Sequence, residues 1–302
     1  MKLVDVYEAV MPSTVAFISK FVPGKQGQVP LMPSIIGTGF LVSELGIAVT
    51  NRHVAEVLQQ LPSHPETGED GYGAVMFDMG KEADDQPYMC WMMPPIESVG
   101  ILNSFTSDSE WYGEARPDVA FVQFGIRETP FLKLATTDFY LRPGISIATA
   151  GFPMGNLPLT VMGKVNQVTP FIRRGIVSSV YPFSIPRPHG FTIDIMQQGG
   201  SSGSPIFYED DPTVVGMMAS GILQPVQVNV GSVPVIARVP TNVSIAVASH
   251  MISHAFTSYL GSEYFLDPTR FPTMAEWQVN HELSDRLNWT EVKPPVERPR
   301  EQ

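Results

Sequence analysis

The 302-residue sequence contains a single cysteine, Cys90, so no disulfide can form within the chain. Small secreted proteins commonly depend on several disulfides, so this composition favours a reducing compartment, or a bacterial protein that folds without bridges. The first residues include Asp5 and Glu8, where a signal peptide would need a continuous apolar segment. No stretch approaches the roughly 20 apolar residues of a membrane-spanning helix. We therefore expect a cytoplasmic protein of bacterial type.

Positive charge is also scarce, since 19 Lys and Arg residues stand against 30 Asp and Glu residues, giving a net charge of −11. Nucleic acids and anionic membranes bind clusters of Lys and Arg, so we expect neither of them as a partner. No run of like charge is long enough to form an interaction tail.

A metal-ligand motif is missing as well. His250 and His254 stand four residues apart in a predicted helix, where both could face one ligand. Residue 251 is Met rather than Glu, however, so the His-Glu-x-x-His pattern of zinc proteases is absent. We interpret the two histidines as a solvated or core-edge pair, and we expect no metal and no other cofactor.

The sequence does contain many short apolar segments, rich in β-branched residues and separated by Gly, Pro and acidic turns. Such spacing predicts an all-β barrel fold. One long helix is expected over residues 242–260, with Thr241 or Asn242 as its N-cap and Gly261 as its end. The predicted strands cover residues 14–18, 35–43, 47–52, 118–125, 145–151, 174–181, 191–196, 213–220 and 234–239.

Two stretches fit this pattern less well. Within residues 61–117 we expect strands near 74–77 and 96–102, with the remainder forming a long loop. That loop is either a rim of the substrate cleft or a decoration without a catalytic role. Residues 155–172 form a second insertion, rich in Gly, Pro and Asn.

The most informative stretch is Gly200-Ser201-Ser202-Gly203-Ser204-Pro205, which reads Gly-x-Ser-Gly-x-Pro before an apolar strand. Glycines on both sides of a serine allow a sharp turn that can aim two amide N–H groups beside the hydroxyl. Acyl transfer needs such a nucleophile with donors placed where an oxyanion forms. An ordinary Gly/Ser turn between two strands is the alternative interpretation.

Two upstream residues complete a possible triad. His53 follows Thr50-Asn51-Arg52 at the end of a predicted hairpin, and Asp118 opens an apolar strand. A buried structural histidine and a turn-capping aspartate are the alternatives. The order His, Asp, Ser along the chain is that of the chymotrypsin class of triads.

With these motifs the chain resembles trypsin-like serine peptidases, and among them the HtrA-like (Deg) branch. The resemblance runs in family order over residues 5–255. The matching pieces are Gly37-Thr38-Gly39-Phe40, Val49-Thr50-Asn51-Arg52-His53-Val54, Asp118-Val119-Ala120, Gly151-Phe152-Pro153, Arg174-Gly175-Ile176-Val177-Ser178, Asp194 and the segment around Ser202.

The resemblance implies two six-stranded Greek-key β-barrels, at roughly residues 1–140 and 141–240, with the cleft between them. Together with the helix at 242–260 they would form a peptidase domain over residues 1–261. Residues 262–302 would be a polar C-terminal extension, too short for the PDZ domain that HtrA-like proteins usually carry.

The resemblance also implies the role of each site residue. Ser202 would be the nucleophile, His53 the general base and Asp118 its partner. The amides of Gly200 and Ser202 would form the oxyanion hole. Ser201 stands where digestive trypsins have an Asp that pairs with a new N-terminus, so we expect no activation by N-terminal cleavage.

A specificity pocket follows from the same register. Met196 would lie near its base beside Gln197, and Met217, Met218 and Ala219 would form its wall. Because no acid stands at the base, we expect small or medium apolar residues before the scissile bond. Ordinary core packing is the alternative role for the methionines.

The sequence thus predicts a serine endopeptidase acting on a protein or peptide through an acyl-enzyme. Two alternatives stay open. The chain could be a latent trypsin-fold binding module switched by a regulatory protein partner, with residues 155–172 holding the oxyanion loop, or it could be an esterase using the same triad.

Overall fold

The structure is a computed structural model that describes residues 1–22, 28, 34–81, 87–102, 118–135, 140–155, 170–230, 233–280 and 287–288. Across these ranges, no helix combines the length and the apolar character needed to cross a membrane.

The described residues form four α-helices and fourteen strands. The helices are α1 Leu3–Val10, α2 Arg52–Gln60, α3 Ser249–Leu260 and α4 Met274–Asn280. The strands are β1 Thr14–Ser19, β2 Ser34–Ser43, β3 Ile47–Thr50, β4 Tyr72–Lys81, β5 Pro87–Met92, β6 Ile96–Gly100, β7 Ala120–Phe124, β8 Ser146–Gly151, β9 Phe171–Tyr181, β10 Gly190–Ile193, β11 Pro205–Tyr208, β12 Asp211–Val230, β13 Val233–Ala248 and β14 Leu287–Asn288.

These strands make two sheets. The first contains eight strands in the order β14-β5-β4-β1-β2-β3-β7-β6, and the second closes into a six-stranded barrel in the order β10-β13-β12-β11-β8-β9. The predicted all-β, trypsin-like two-part architecture with a C-terminal helix is therefore confirmed. All the paired strands are antiparallel, and the turn at residues 44–46 joins β2 to β3 where the sequence predicted a hairpin.

The two sheets share a hydrophobic core. One buried cluster joins Phe40 and Phe121 of the first sheet to Phe207 and Met217 of the barrel, with Tyr259 of α3 among them. Burial raises the pKa of the Tyr259 hydroxyl to about 12. Each sheet also has an inner cluster of its own. The shared cluster fixes the two halves against each other along the line where the predicted site residues lie.

The described segment that follows Gly261, up to α4, contacts the first sheet. Trp277 of α4 is 8% exposed and belongs to that sheet's inner cluster. The backbone N–H of Arg127 donates to the carbonyl of Pro272 at 3.0 Å. Met274 and Trp277, which follow the predicted domain end at residue 261, thus pack into the core of the first sheet.

Several elements differ from the prediction in extent. The helix expected over 242–260 starts only at Ser249, after the N-cap Ala248, because residues 242–248 belong to β13. Thr241, an expected cap, instead donates through its hydroxyl to the carbonyl of Ile222 at 2.8 Å. The alternating apolar residues of this segment match a strand period better than a helix period.

The other differences are also in the strands. β12 continues to Val230 rather than ending near Ser220. β5 occupies part of the stretch expected to be loop between residues 77 and 96. Most of the predicted insertion at 155–172 lies outside the described residues.

Candidate active site

His53 and Asp118 are brought together by strand register. β3 and β7 are antiparallel with Thr50 opposite Ala120, so the ladder, continued by two residues, brings the start of α2 opposite Asp118. Nδ1 of His53 lies 2.7 Å from Oδ2 of Asp118, and the backbone N–H of His53 donates to Oδ1 at 3.1 Å. The carboxylate thus holds both the ring and the main chain of His53.

The surroundings leave the imidazole accessible. The side chain of His53 is 48% exposed, whereas that of Asp118 is 23% exposed. Asn51, which is fully buried, donates from its side-chain amide to the carbonyl of Asp118 at 2.9 Å. Asn51 is also the N-cap residue of α2. One buried side chain therefore links the backbone before His53 to the backbone of Asp118.

Ser202 lies in a pair of consecutive turns. The N–H of Ser201 donates to the carbonyl of Gln198, and the N–H of Ser204 donates to the carbonyl of Ser201. The third residues of these turns, Gly200 and Gly203, both have φ of +87°. A type II turn requires positive φ at that position, which explains the glycines on either side of Ser202.

Both glycines are also in close backbone contact. A Cβ atom on Gly203 would lie 1.9 Å from the carbonyl oxygen of Thr38, and one on Gly200 would lie 2.2 Å from that of Phe152. No side chain fits at either place. The motif's glycines are therefore needed for packing as well as for conformation.

Thr38 of β2 connects this turn to the first sheet. Its N–H donates to the carbonyl of Ser202 at 2.8 Å, and its hydroxyl donates to the carbonyl of Gly200 at 2.7 Å. The hydroxyl of Thr50 donates in turn to the carbonyl of Thr38. Thr50 lies three residues before His53, so a short chain of hydrogen bonds runs from the Ser202 turn to the His53 segment.

The hydroxyl of Ser202 accepts a hydrogen bond from a neighbouring side chain. Nε2 of Gln197 donates to Oγ of Ser202 at 2.8 Å and to the carbonyl of Ala219 at 3.0 Å. Oε1 of Gln197 is buried, and it has no partner among the described residues. No hydrogen bond joins His53 and Ser202 in the described part of the chain; the structure brings their segments together but pairs each with another residue.

The amides predicted to form the oxyanion hole are unpaired within the described ranges. Neither the N–H of Gly200 nor that of Ser202 donates to another group there. Between them, the N–H of Ser201 is used by its turn. Two donors thus flank the serine without an acceptor.

Ser201 contacts the partly buried guanidinium of Arg173 and not the N-terminus of the chain. Nη2 of Arg173 donates to Oγ of Ser201 at 3.2 Å, and Nη1 donates to the carbonyl of Met196. Burial lowers the pKa of the Arg173 guanidinium. The Met1 ammonium group donates elsewhere, to the carbonyl of Asp210.

The predicted pocket residues fall into two groups. Met217 and Met218 are fully buried and belong to different core clusters, on opposite sides of β12. Met196 and Gln197 are partly exposed, and the carbonyl of Ala219 accepts a hydrogen bond from Gln197. The side chain of Gln197 therefore occupies the space between Ala219 and Ser202.

Thr38, Asn51 and Arg173 were not predicted as site residues. Thr38 and Asn51 did stand in the motifs that carried the family resemblance, and this was the available signal. Arg173 stood beside such a motif, and nothing in the sequence indicated its contact with Ser201. As for metals, no cluster of three or more His, Cys, Asp or Glu side chains able to hold an ion occurs in the described residues.

Comparison with known proteins places the chain in a family. Two solved structures of similar fold are the HtrA-type protease AlgW with a decapeptide and with a tripeptide, at 15% and 14% identity and a TM-score of 0.48 each. The alignments cover 86% of this chain but only 68% and 64% of those chains, so this chain spans about two thirds of their length. No functionally curated protein matches the sequence.

The family model described as a trypsin-like peptidase domain matches residues 37–217. This match covers more than half of the chain and contains His53, Asp118 and Ser202. The chain therefore belongs to the family of trypsin-like peptidases and carries a serine-type endopeptidase domain.

Proposed function

We propose that the chain hydrolyses peptide bonds through an acyl-enzyme, with Ser202 as nucleophile, His53 as general base and Asp118 as the partner of His53. The observation that carries this proposal is the 2.7 Å contact between Nδ1 of His53 and the Asp118 carboxylate. This contact assigns the ring proton to Nδ1, so Nε2 is left as the basic nitrogen. The half-exposed ring can meet both a substrate and the serine.

The reaction follows from these groups. Oγ of Ser202 attacks the carbonyl carbon while Nε2 of His53 takes its proton, and Asp118 stabilises the imidazolium that forms. The N–H groups of Gly200 and Ser202 stabilise the oxyanion. His53 then gives the proton to the amine as the C–N bond breaks. Water next attacks the acyl-enzyme while Nε2 of His53 takes its proton, and that proton passes to Oγ of Ser202 as the ester bond breaks and the acid product leaves.

Before attack, the hydrogen bond from Gln197 to Ser202 has to break. Nε2 of Gln197 donates to Oγ at 2.8 Å and also to the carbonyl of Ala219 at 3.0 Å. Catalytic hydrogen bonds are often absent in unliganded enzymes and form when the substrate binds. We infer that a substrate side chain entering the pocket displaces the Gln197 amide and frees Ser202.

The substrate preference follows from the same pocket. Met196, Gln197 and Ala219 line it, Met217 and Met218 pack behind it, and no carboxylate stands at its base. We propose small or medium apolar residues before the scissile bond, in a protein or peptide substrate. The resemblance to the HtrA-like branch is consistent with this preference.

A peptide library tests this proposal. The expected result is cleavage after Ala, Val, Ile or Leu, lost in Ser202→Ala and present in the chain without N-terminal trimming. Cleavage confined to sites after Arg or Lys would contradict the proposed preference. Activity gained only after N-terminal trimming would contradict the expected mode of activation.

One observation favours a second candidate, the latent form of the same enzyme. The Gln197–Ser202 hydrogen bond is what a resting state would contain, and a regulatory protein that moves Gln197 would switch the enzyme on. A latent enzyme would hydrolyse peptides only when such a partner is added. An esterase function is separated from both by comparing the turnover of a small ester with that of a protein.

A further inference from the structure

β12 and β13 continue beyond the barrel as a two-stranded ribbon, residues 222–230 and 233–240. The pairing runs from Leu223 opposite Pro240 to Val230 opposite Val233. In the barrel, β11 pairs with β12 only as far as Met217, and β10 pairs with β13 only from Ser244 onward. Within the described chain, no third strand pairs with the ribbon.

The ribbon exposes apolar side chains. Seven large ones on it are more than a third exposed, and Ile236 reaches 73%. They are Ile222, Leu223, Val226, Val228, Val235, Ile236 and Val239. Arg238 is the single charged residue of the segment. A contiguous exposed apolar surface marks a binding site in soluble proteins, so it matters which of these side chains share a face.

The two faces of the ribbon differ. Side chains of directly opposed residues lie on the same face, and alternate residues share it. Val226 lies opposite Ala237, Val228 lies opposite Val235, and Val239 lies opposite Gln224. We call this side, formed by Val226, Val228, Val235 and Val239, the valine face.

Both strands of the ribbon contain proline. β12 carries Pro225, and β13 carries Pro234 and Pro240. A strand added at either edge would lack the proline N–H groups, which is how natural sheets discourage open-ended pairing. A partner is therefore recognised through side chains on the valine face rather than through a continuous added strand.

The size of the face argues against a second copy as its occupant. Eight residue pairs at about 3.4 Å each, across a width of roughly 10 Å, give about 300 Å². A stable complex buries about 800 Å² on each partner. Two copies carrying −11 each would also repel one another. The face suits a transient, uncharged and apolar partner.

The ribbon is continuous with the candidate site. Ala219, which accepts the hydrogen bond from Gln197, lies on the same strand three residues before Ile222. Val226 is seven residues beyond Ala219, at most about 24 Å along the strand, because the register of β12 is irregular at residues 219 and 222. An extended polypeptide leaving the site beside β12 would reach the valine face after about seven residues.

We propose that the valine face docks an apolar segment of the polypeptide substrate, lying about seven to nine residues from the scissile bond. This inference rests on the proposed function, because it takes the occupant of the site to be a polypeptide. It adds a requirement outside the pocket: the enzyme selects extended chains with valine-like residues at that distance. Exposed apolar segments of this kind are typical of unfolded proteins.

Peptides with one cleavable core test this proposal. A Val-x-Val cassette is placed 2, 7 or 12 residues from the scissile bond, on either side, in otherwise polar sequences. We expect kcat/KM to rise about tenfold, equivalent to about 1.4 kcal/mol, for the seven-residue spacing on one side only, because two valines become partly buried. No dependence on the position of the cassette would overturn the proposal.

Variants locate the effect on the ribbon. The double change Val226→Lys with Val228→Lys should remove the tenfold advantage, and Val235→Lys on the neighbouring strand should reduce it. Ile236→Lys is the matched control because it lies opposite Gln227, on the other face. All three should hydrolyse the core peptide without a cassette at the wild-type rate. Retention of the advantage in the double variant would overturn the proposal.

Two further readouts separate the possible failures. If the core peptide is not hydrolysed, the proposed function fails, and the ribbon is then judged by fluorescence anisotropy of the cassette peptide, which needs no turnover. If binding of the cassette peptide does not depend on Val226 and Val228, the ribbon proposal alone is rejected. Light scattering that shows a dimer disrupted by the double variant would identify a second copy as the occupant and overturn it.

Discussion

The two halves of the candidate site are held in different ways. His53 and Asp118 meet through their side chains, and the ring is nearly half exposed. Ser202 lies instead in a tight turn whose neighbours Ser201, Gly203 and Ser204 are buried. We therefore expect that His53 can be replaced without disturbing the fold, whereas the turn around Ser202 is itself part of the core.

Replacing Asp118 should impair the His53–Asp118 half of the site and leave the stability of the fold unchanged. Asp118→Asn keeps the shape but no longer favours the basic tautomer of His53, and we expect kcat to fall by about 10⁴-fold. The melting temperature should stay close to that of the wild type. Asp70→Asn, an exposed acid outside the site, is the matched control. A loss of less than tenfold would mean that Asp118 is only a turn cap.

Replacing a turn glycine should break the second half and the fold with it. In Gly203→Ala, positive φ and a Cβ placed 1.9 Å from the carbonyl of Thr38 should together destabilise the protein by about 3 kcal/mol or more. Chemical denaturation measures this loss.

Gly199→Ala is the control for the turn, since nothing lies within 4 Å of a Cβ atom at that position. It should lie within about 1 kcal/mol of the wild type. Equal effects of the two substitutions would show that the turn is merely flexible and that its close packing on Thr38 has no energetic consequence.

Low pH should reduce the stability of the folded protein through His250, which lies outside the site. Burial, followed by the charges of Arg187, His189 and His254, lowers the pKa of His250 from 6.5 to about 4. The folded state therefore disfavours protonation of His250. Its contribution to stability is complete above pH 6.5 and is lost as the pH falls from 6.5 to about 4.

His250→Gln should reduce the slope of stability against pH in that range, by at most about 3 kcal/mol in total. His254→Gln, on the same helix, removes only the smallest of these causes and should change the slope much less. Denaturation at pH 7, 6, 5 and 4 gives both slopes. An unchanged slope in His250→Gln would contradict the assignment.

The smallest effect should come from Gln197, which contacts the nucleophile. Gln197→Ala removes a hydrogen bond that has to break before attack, and such a bond contributes about 1 kcal/mol. We expect reaction of Ser202 with a fluorophosphonate to become about fivefold faster. Gln198→Ala leaves the turn intact, since only its backbone carbonyl takes part, and should change little. A slower reaction in Gln197→Ala would show that Gln197 supports the active geometry.

Much of this arrangement could be predicted from the sequence. The hairpin before His53, the strand after Asp118 and the glycines around Ser202 have local signals, namely apolar alternation and turn residues at fixed spacing. These signals placed the fold class and the candidate residues.

The rest depends on contacts that local patterns do not encode. The predicted strand ends at residue 220, whereas β12 continues through Gly221 and Pro225, two residue types that disfavour strands. In the structure Gly221 lets the strand pass close to Gln197, and Pro225 lies at an open edge where no N–H is needed. The Gln197–Ser202 and Arg173–Ser201 hydrogen bonds join side chains from separate segments, and no periodicity predicts such pairs.

The most direct test of the account is the rate at which a fluorophosphonate labels the protein, with the modified residue mapped by mass spectrometry. If His53 and Ser202 act as one unit, the label should be found on Ser202, be absent from Ser202→Ala and form at least 10³-fold more slowly in His53→Ala. Labelling of another residue, or an equal rate in His53→Ala, would contradict it.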